Sequence, residues 1–454
     1  MIPQTSGYEL TAAPLDFSVE RSSSRRGLLA ITGLLITGTL IAVGAAHTAV
    51  LLPQSVQLGV PPSLAGAFNA VGFDLHSGGV IAVLAAMFGC YVLAVGAAGQ
   101  LSARAVLTAV AALHAVVLWA PPLISTDIFS YQAYARMGAL YATNPYTHGP
   151  HAIFLDGLFP YLGAKWSYIP SVYGPLFTVF SYVLAPLSIA ASVFAYKSIA
   201  ALASLGLVAL VWRCARLRGK DPVRAAAFVG LNPLLVIYGV GGGHNDLLML
   251  LVMVGGLYAI LSSRERLGGG LGMLAAGIKL TAGLTLPFAL AAGGPRRGRG
   301  RRDLLLGAGI VAALTAVLTF GVFGSGSLDM LATVDKSQSE GGWQSIPGFV
   351  GNVVGSPTAG HIVGYSLAAV FVGICLWLLR RVWQGRTDWI DGAGWATVAM
   401  LVAASSLLPW YVAWALPLAA LGRDRRLARA ALVLTGVILG IQLLGLIPHG
   451  GSPL

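Results

Sequence analysis

Charge is what this sequence has least of. Only 10% of its 454 residues are Asp, Glu, Lys or Arg, where a soluble globular domain carries about 25%. Hydrophobic residues make up 56%, and mean hydropathy is +0.79. A soluble enzyme is excluded, and an integral membrane protein is implied. Strand-like alternation is missing too, which argues against a β-barrel. Cysteine is scarce: Cys90, Cys214 and Cys375 lie far apart in or beside apolar runs, with neither a disulfide frame nor metal-ligand spacing. They read as small packing residues. No GxxxxGK[ST] phosphate loop, no HExxH and no soluble nucleotide-sugar domain is present. A membrane enzyme of this kind needs a donor already activated and membrane-soluble.

What is present is a series of apolar runs rich in Leu, Ala, Val and Gly. A helix crosses the hydrocarbon core in about 20 residues. Thirteen segments qualify as crossing or re-entrant: roughly 28–52, 77–98, 104–122, 175–191, 194–212, 224–241, 247–262, 269–293, 304–323, 361–379, 393–409, 411–422 and 430–447. The formal charge of +12 sits largely in short loops between them, at Arg213–Lys220, Arg264–Arg266, Arg296–Arg302, Arg380-Arg381 and Arg423–Arg429. That is the positive-inside pattern, not a nucleic-acid surface. Putting these loops on one side requires 175–212 to make one net crossing and 269–293 to dip in and return. Pro287 and Gly277-Ile278-Lys279 suit such a break. About eleven net crossings remain. The expected organisation is a cytoplasmic tail 1–27, one all-α membrane domain 28–447 with external loops 123–174 and 324–360, and an external tail 448–454.

With only sixteen acids, each can be weighed. Asp127 and Asp246 lie closest to apolar helix ends on the external side. Asp127 follows Pro121-Pro122 in Ser125-Thr126-Asp127-Ile128-Phe129-Ser130-Tyr131. An acid where a membrane helix meets water invites a functional explanation. It also reads as a first-turn residue of a helix capped by Ser125 or Thr126. The two readings are compatible, because an acid at a helix start is held rigidly. That helix places Ile128, Tyr131 and Leu140 near one face and Phe129, Met137 and Tyr141 on an adjacent one, as an interfacial helix does. Trp166, Tyr168 and Tyr173 close the loop as an aromatic belt or a sugar-stacking wall.

A second constellation is Gly241-Gly242-Gly243-His244-Asn245-Asp246. It is either a capped turn or a binder of hydroxyls or phosphate. Lys279 either snorkels or meets a lipid phosphate. Pro409-Trp410-Tyr411 is belt or cavity wall. His114 reads as a packed helix residue.

Together these residues resemble a known family. Asp127-Ile128-Phe129-Ser130-Tyr131, Gly138, Asn144-Pro145-Tyr146 and Gly149-Pro150 look like the first external loop of actinobacterial polyprenol-phosphomannose-dependent α-1,6-mannosyltransferases, the Mpt type with the GT-C fold. Tyr173-Gly174-Pro175, His244-Asn245-Asp246, Lys279-Leu280-Thr281 and Leu408-Pro409-Trp410-Tyr411 follow in the family's order. The resemblance implies a GT-C-like bundle of about 11–13 transmembrane or re-entrant helices in the cytoplasmic membrane, working on its external face. It implies transfer of mannose from polyprenyl phosphomannose to the 6-hydroxyl of a mannosylated glycolipid, extending the backbone of lipomannan-type lipoglycans. Asp127 would be the general base. His244, Asn245, Lys279 and Arg136 would steady the leaving phosphate, and Asp246 would orient His244 or bind acceptor hydroxyls. Tyr131, Tyr173, Trp410 and Tyr411 would line the substrate. No cofactor, metal or nucleic acid is expected. A GT-C enzyme with another polyprenyl-phosphate sugar, such as arabinofuranose, is the alternative in the same class. A transporter or flippase would need paired inverted repeats and midplane charges, and neither is visible.

Overall fold

The computed structural model describes residues 24–294, 298–339 and 342–447. Residues 1–23 of the expected N-terminal tail, the tail 448–454 and Glu340 lie outside the described residues. All regular structure among the described residues is helical. Among the described residues six helices are long and apolar enough to cross a membrane, and a bent pair makes a seventh. They are α1 (Arg25–Gly44), α2 (His76–Ala97), α6 (Ile189–Leu217), α11 (Gly298–Phe323), α14 (Pro357–Trp383) and α17 (Arg425–Leu444). The pair is α7 (Pro222–Gly230) followed by a π-helix, Leu234–Val240, bent by 49°. In α14 only 6% of the apolar window is buried, and in α11 only 11%. Faces carrying Ile310, Leu314 and Val317 on α11 therefore belong against lipid. The chain is a polytopic membrane protein.

The expected segments are fewer as full crossings than as apolar runs, because several are short or broken. α3 (Ala103–Trp119), α8 (Asp246–Leu261) and α15 (Trp389–Ala403) are shorter apolar helices. Segment 175–191 is a helix of only 8 residues, α5 (Pro175–Tyr182), then turns leading into α6. Segment 269–293 is α9 (Glu265–Ile278), an extended Lys279, a 3-10 turn Leu280–Leu284 and α10 (Thr285–Ala291). Arg266 at its start pairs with Asp303 of α11 (3.1 Å), so entry and exit lie at the same end of the bundle. The loop 324–360 holds two helices that the sequence reading did not foresee, α12 (Asp329–Ser339) and α13 (Ile346–Val354).

Side-chain caps mark where helices begin. Ser24, Ser102 and Ser188 accept the N–H of Gly27, Ala105 and Ala191, and Asp221, Asp388 and Asp424 do the same for α7, α15 and α17. Each such cap is worth about 1 kcal/mol. The acids of the basic loops also neutralise them: Arg218 meets Asp388 at 2.9 Å and donates to the Leu421 carbonyl at 2.7 Å. These contacts gather at one end of the bundle. α6 and α8 run from there to the end that carries Asp127 and His244.

The turn into α5 has one strict requirement. A Cβ on Gly174 would stand 2.3 Å from the Gly277 carbonyl oxygen and 2.5 Å from that of Ile278. Both are backbone atoms beside the α9 break, so nothing can rotate away. Gly174→Ala should cost about 1–3 kcal/mol, seen as a lower unfolding temperature in detergent and poorer yield.

Candidate active site

Asp127 opens α4 (Asp127–Tyr141). Its own N–H donates to Ser125 Oγ at 3.1 Å, so Ser125 is the capping side chain. Thr126 occupies the cap position without a side-chain bond. The Asp127 side chain is 18% exposed. The rest of the helix is enclosed by protein on more than the one face that its pattern marks. Ile128 to Ala135 are all buried, and large apolar exposure begins only at Leu140 and Tyr141. A periodic face predicts one buried side, but here the 3-10 loop roofs the other. Phe129 packs on Tyr161 (centroids 5.4 Å apart), while Tyr131 packs edge-on against Tyr173 (4.7 Å) and Phe177 (4.9 Å). Aromatic pairs of this kind add about 0.5–1.5 kcal/mol each beyond burial.

The second constellation meets the first. Asn232 caps the backbone after the α7 bend by accepting from the Leu234 and Leu235 N–H groups. The π-helix then delivers Gly241, whose carbonyl accepts the Leu123 N–H at 3.0 Å, tying the turn to the strand of chain before Asp127. His244 Nδ1 lies 3.4 Å from Asp127 Oδ2. The Tyr131 hydroxyl is 3.5 Å from the same nitrogen, donates to Asn245 Oδ1 at 3.3 Å and accepts the Asn245 N–H at 3.4 Å. Burial, and then the charge of Asp127, push this hydroxyl well above the ordinary tyrosine range, so it stays a proton donor. Trp410 stacks on His244, centroids 3.7 Å apart at 20°.

Asp246 does not orient His244. Its Oδ1 accepts from Lys279 Nζ at 2.7 Å and from Trp414 Nε1 at 2.6 Å. Lys279 also stands 4.7 Å above the Tyr411 ring, and Tyr411 stacks on Trp414 at 4.2 Å. Lys279 thus neither snorkels nor stands free; it is turned inward to a partner at the α9 break. Pro409–Trp414 form a 3-10 helix, leading into α16 (Leu416–Leu421), beneath this cluster rather than an exposed belt. Four buried polar atoms here have no partner among the described residues: His244 Nε2, Asn245 Nδ2, Asp246 Oδ2 and Trp410 Nε1. Buried polar atoms are satisfied nine times in ten or more (about 90%), so such a concentration is a mark of a functional site.

Arg136 is not part of this cluster. It lies nine positions along α4, about 13 Å up the axis, and meets Asp156 at 2.7 Å and the Leu187 carbonyl at 3.0 Å. Its role is to fasten the loop to α4. Tyr141 shares the same carboxylate at 2.8 Å. Burial opposes the Asp156 carboxylate, but the Leu158 N–H, Tyr141 and Arg136 together hold it below the ordinary range. A lowered native pKa stabilises the fold fully above the ordinary carboxylate range and loses that contribution on acidification through the native value. The stability deficit of Asp156→Asn should therefore be largest near neutrality and shrink as the pH falls to about 3, in unfolding curves recorded across that range.

Lys197 was missed by sequence reading. It is buried in the middle of an apolar stretch of α6, and its Nζ donates to the Pro121 carbonyl (2.8 Å) and to that of Ala120. Its stem also backs Gly243. One lysine thus supports both chain segments that carry the site. An intramembrane lysine is itself a signal. His114 is a packing residue, bonded to the Val110 carbonyl and Ser204. Among the described residues no three His, Cys, Asp or Glu side chains are grouped as a metal would require.

Comparison with known proteins adds two overlapping matches. The family described as alpha-(1->6)-mannopyranosyltransferase, N-terminal domain, matches residues 30–293, and glycosyltransferase family 87 matches residues 172–446. The chain is 29% identical over 348 residues to alpha-(1->6)-mannopyranosyltransferase A of Mycobacterium tuberculosis, covering 70% of this chain and 66% of that protein. It is 29% identical over 352 residues to alpha-(1->6)-mannopyranosyltransferase B of Corynebacterium glutamicum, covering 67% of this chain and 57% of that protein. The match thus spans just under two thirds of the first relative and less of the second. No solved structure matches.

Proposed function

Because the chain belongs to the alpha-(1->6)-mannopyranosyltransferase family, within glycosyltransferase family 87, we propose that it transfers mannose from a β-linked polyprenyl phosphomannose to the 6-hydroxyl of a mannosylated glycolipid. The product extends an α-1,6-mannan of the lipomannan type. The observation that carries this reading is the partly exposed Asp127 carboxylate against a cluster of unpaired buried polar atoms and aromatic faces.

In this mechanism the acceptor 6-hydroxyl gives its proton to Asp127 as its oxygen bonds to the anomeric carbon. The bond from that carbon to the phosphate oxygen breaks, and the polyprenyl phosphate leaves with its electron pair. Attack opposite the leaving group inverts β to α. A lipid phosphate is a good leaving group, so the protein's work is to hold the base and steady the departing charge. Asn245 Nδ2 and the partly exposed Lys279 are the donors offered to that phosphate, with Trp410 and Tyr411 beside them. Tyr131 and Tyr173 form the wall behind the acid. The basic loops gather at the end away from Asp127, which the positive-inside rule puts in the cytoplasm. The active site then faces outward from the cytoplasmic membrane.

The test is donor choice. Membranes containing the protein are given a mannoside acceptor and either labelled polyprenyl phosphomannose or labelled polyprenyl phosphoarabinofuranose. Mannose transfer is expected. Arabinose transfer without mannose transfer would overturn the donor assignment while leaving the class intact.

A further inference from the structure

His244 holds a position that substrate contact does not explain. Its side chain is 0% exposed. One ring face is covered by Trp410. Gly242 lies against its Nε2 edge, so closely that a Cβ there would come within 2.6 Å of Nε2 and of the Tyr238 carbonyl oxygen. The Nδ1 edge is the one turned toward a charged group, Asp127 Oδ2 at 3.4 Å. The Tyr131 hydroxyl on the same side already donates to Asn245. Other titratable groups near the turn are engaged elsewhere: Lys197, behind Gly243, with the Ala120 and Pro121 carbonyls, and Asp246 with Lys279 beside Tyr411.

We propose that His244 is the positioning residue of Asp127, its Nδ1–H donating to Oδ2 so that the other carboxylate oxygen is aimed at the acceptor hydroxyl. This rests on the reading of Asp127 as the base. A neutral imidazole carries one N–H, and a carboxylate facing Nδ1 selects that tautomer. The Trp410 stack and the Gly242 backbone leave the ring one setting. Asp127 is therefore held at two points, its backbone N–H by Ser125 Oγ at the helix start and its Oδ2 by His244. A side chain fixed in this way costs no reorganisation when the proton moves. The arrangement also explains why the glycine run precedes His244: a side chain at 242 would enter the space of the ring.

The experiment compares His244→Asn, His244→Leu and Asp127→Asn in purified protein, with kcat, KM for polyprenyl phosphomannose and mannoside, pH profiles and unfolding temperatures. An Asn amide can stand where Nδ1–H stands; Leu cannot donate. His244→Leu should lower kcat about 10–100-fold, as loss of a supporting hydrogen bond does at other sites. Both KM values should stay near wild type. The acid limb of kcat/KM should move to higher pH, because the carboxylate loses a donor. His244→Asn should recover most of the rate and return the limb. If Leu and Asn lose rate equally at normal unfolding temperature, or if donor KM rises while kcat holds, the proposal is overturned. Should Leu fail to fold, the limb and rate of the Asn variant decide alone: wild-type-like values support it, and a Leu-sized loss opposes it. An active Asp127→Asn instead removes the base reading beneath it, while an inactive Asp127→Asn beside unaffected His244 variants removes only the positioning role.

Discussion

Asp127→Asn should lower kcat for mannose transfer by about 10²–10⁴-fold, the range that a general base supplies, with the protein still folded. Asn has the size of Asp and keeps the backbone N–H that Ser125 receives. The lost charge at the helix start costs about 0.3–1 kcal/mol, too little to unfold a bundle whose core runs from α1 to α17. What Asn cannot do is accept the proton of the acceptor hydroxyl. KM for the lipid donor should change little, since the donor is held by its phosphate and chain. A rate loss with an unchanged unfolding temperature separates base from cap. An equal loss of both would leave Asp127 as a capping residue only.

The second large effect concerns stability. Lys279→Met should destabilise the protein by about 3–5 kcal/mol, the penalty for leaving one member of a buried ion pair alone. The Asp246 side chain is 1% exposed and that of Lys279 is 17% exposed. Without the ammonium, the carboxylate keeps only the Trp414 N–H on Oδ1, and its Oδ2 already has no partner. The pair also joins the start of α8 to the break after α9, and Lys279 lies over the Tyr411 ring. Asp246→Asn combined with Lys279→Met removes both charges and should recover most of the loss. Unfolding temperatures of the two single variants and the double variant give the coupling directly. Additive losses would show that the contact carries no coupling energy.

The apolar runs and the start of α4 were legible because they are local. Hydrophobic length is set by lipid thickness, and Ser125-Thr126-Asp127 is a helix start written in consecutive residues. Charge balance, with the interruptions at Gly277-Ile278-Lys279 and Pro287, also called for a broken segment over 269–293, and the helix does break at Lys279. Partnership was not legible in the same way. Nothing around Lys279 names Asp246, 33 positions earlier, and nothing around Arg136 names Asp156. Such pairs arise from tertiary packing. The burial of the stretch 128–135 of α4 was hidden for a related reason: periodicity marks the face that needs cover, not the loop that comes to cover the other. α12 and α13 escaped notice because one is polar and the other is 9 residues long. Lys197 stands in plain view within an apolar run, yet nothing local to it names the Ala120 and Pro121 carbonyls that it bonds.

The central claim is that this cluster performs inverting transfer from a lipid-linked mannose. It is tested most directly by the linkage and anomeric form of the product. Purified protein would be given β-linked polyprenyl phosphomannose and an α-mannoside acceptor, with a soluble nucleotide mannose as the parallel donor. NMR of the product should show a new α-1,6-linked mannose from the lipid donor and nothing from the nucleotide donor. A β-linked product, or transfer from the nucleotide sugar, would contradict it.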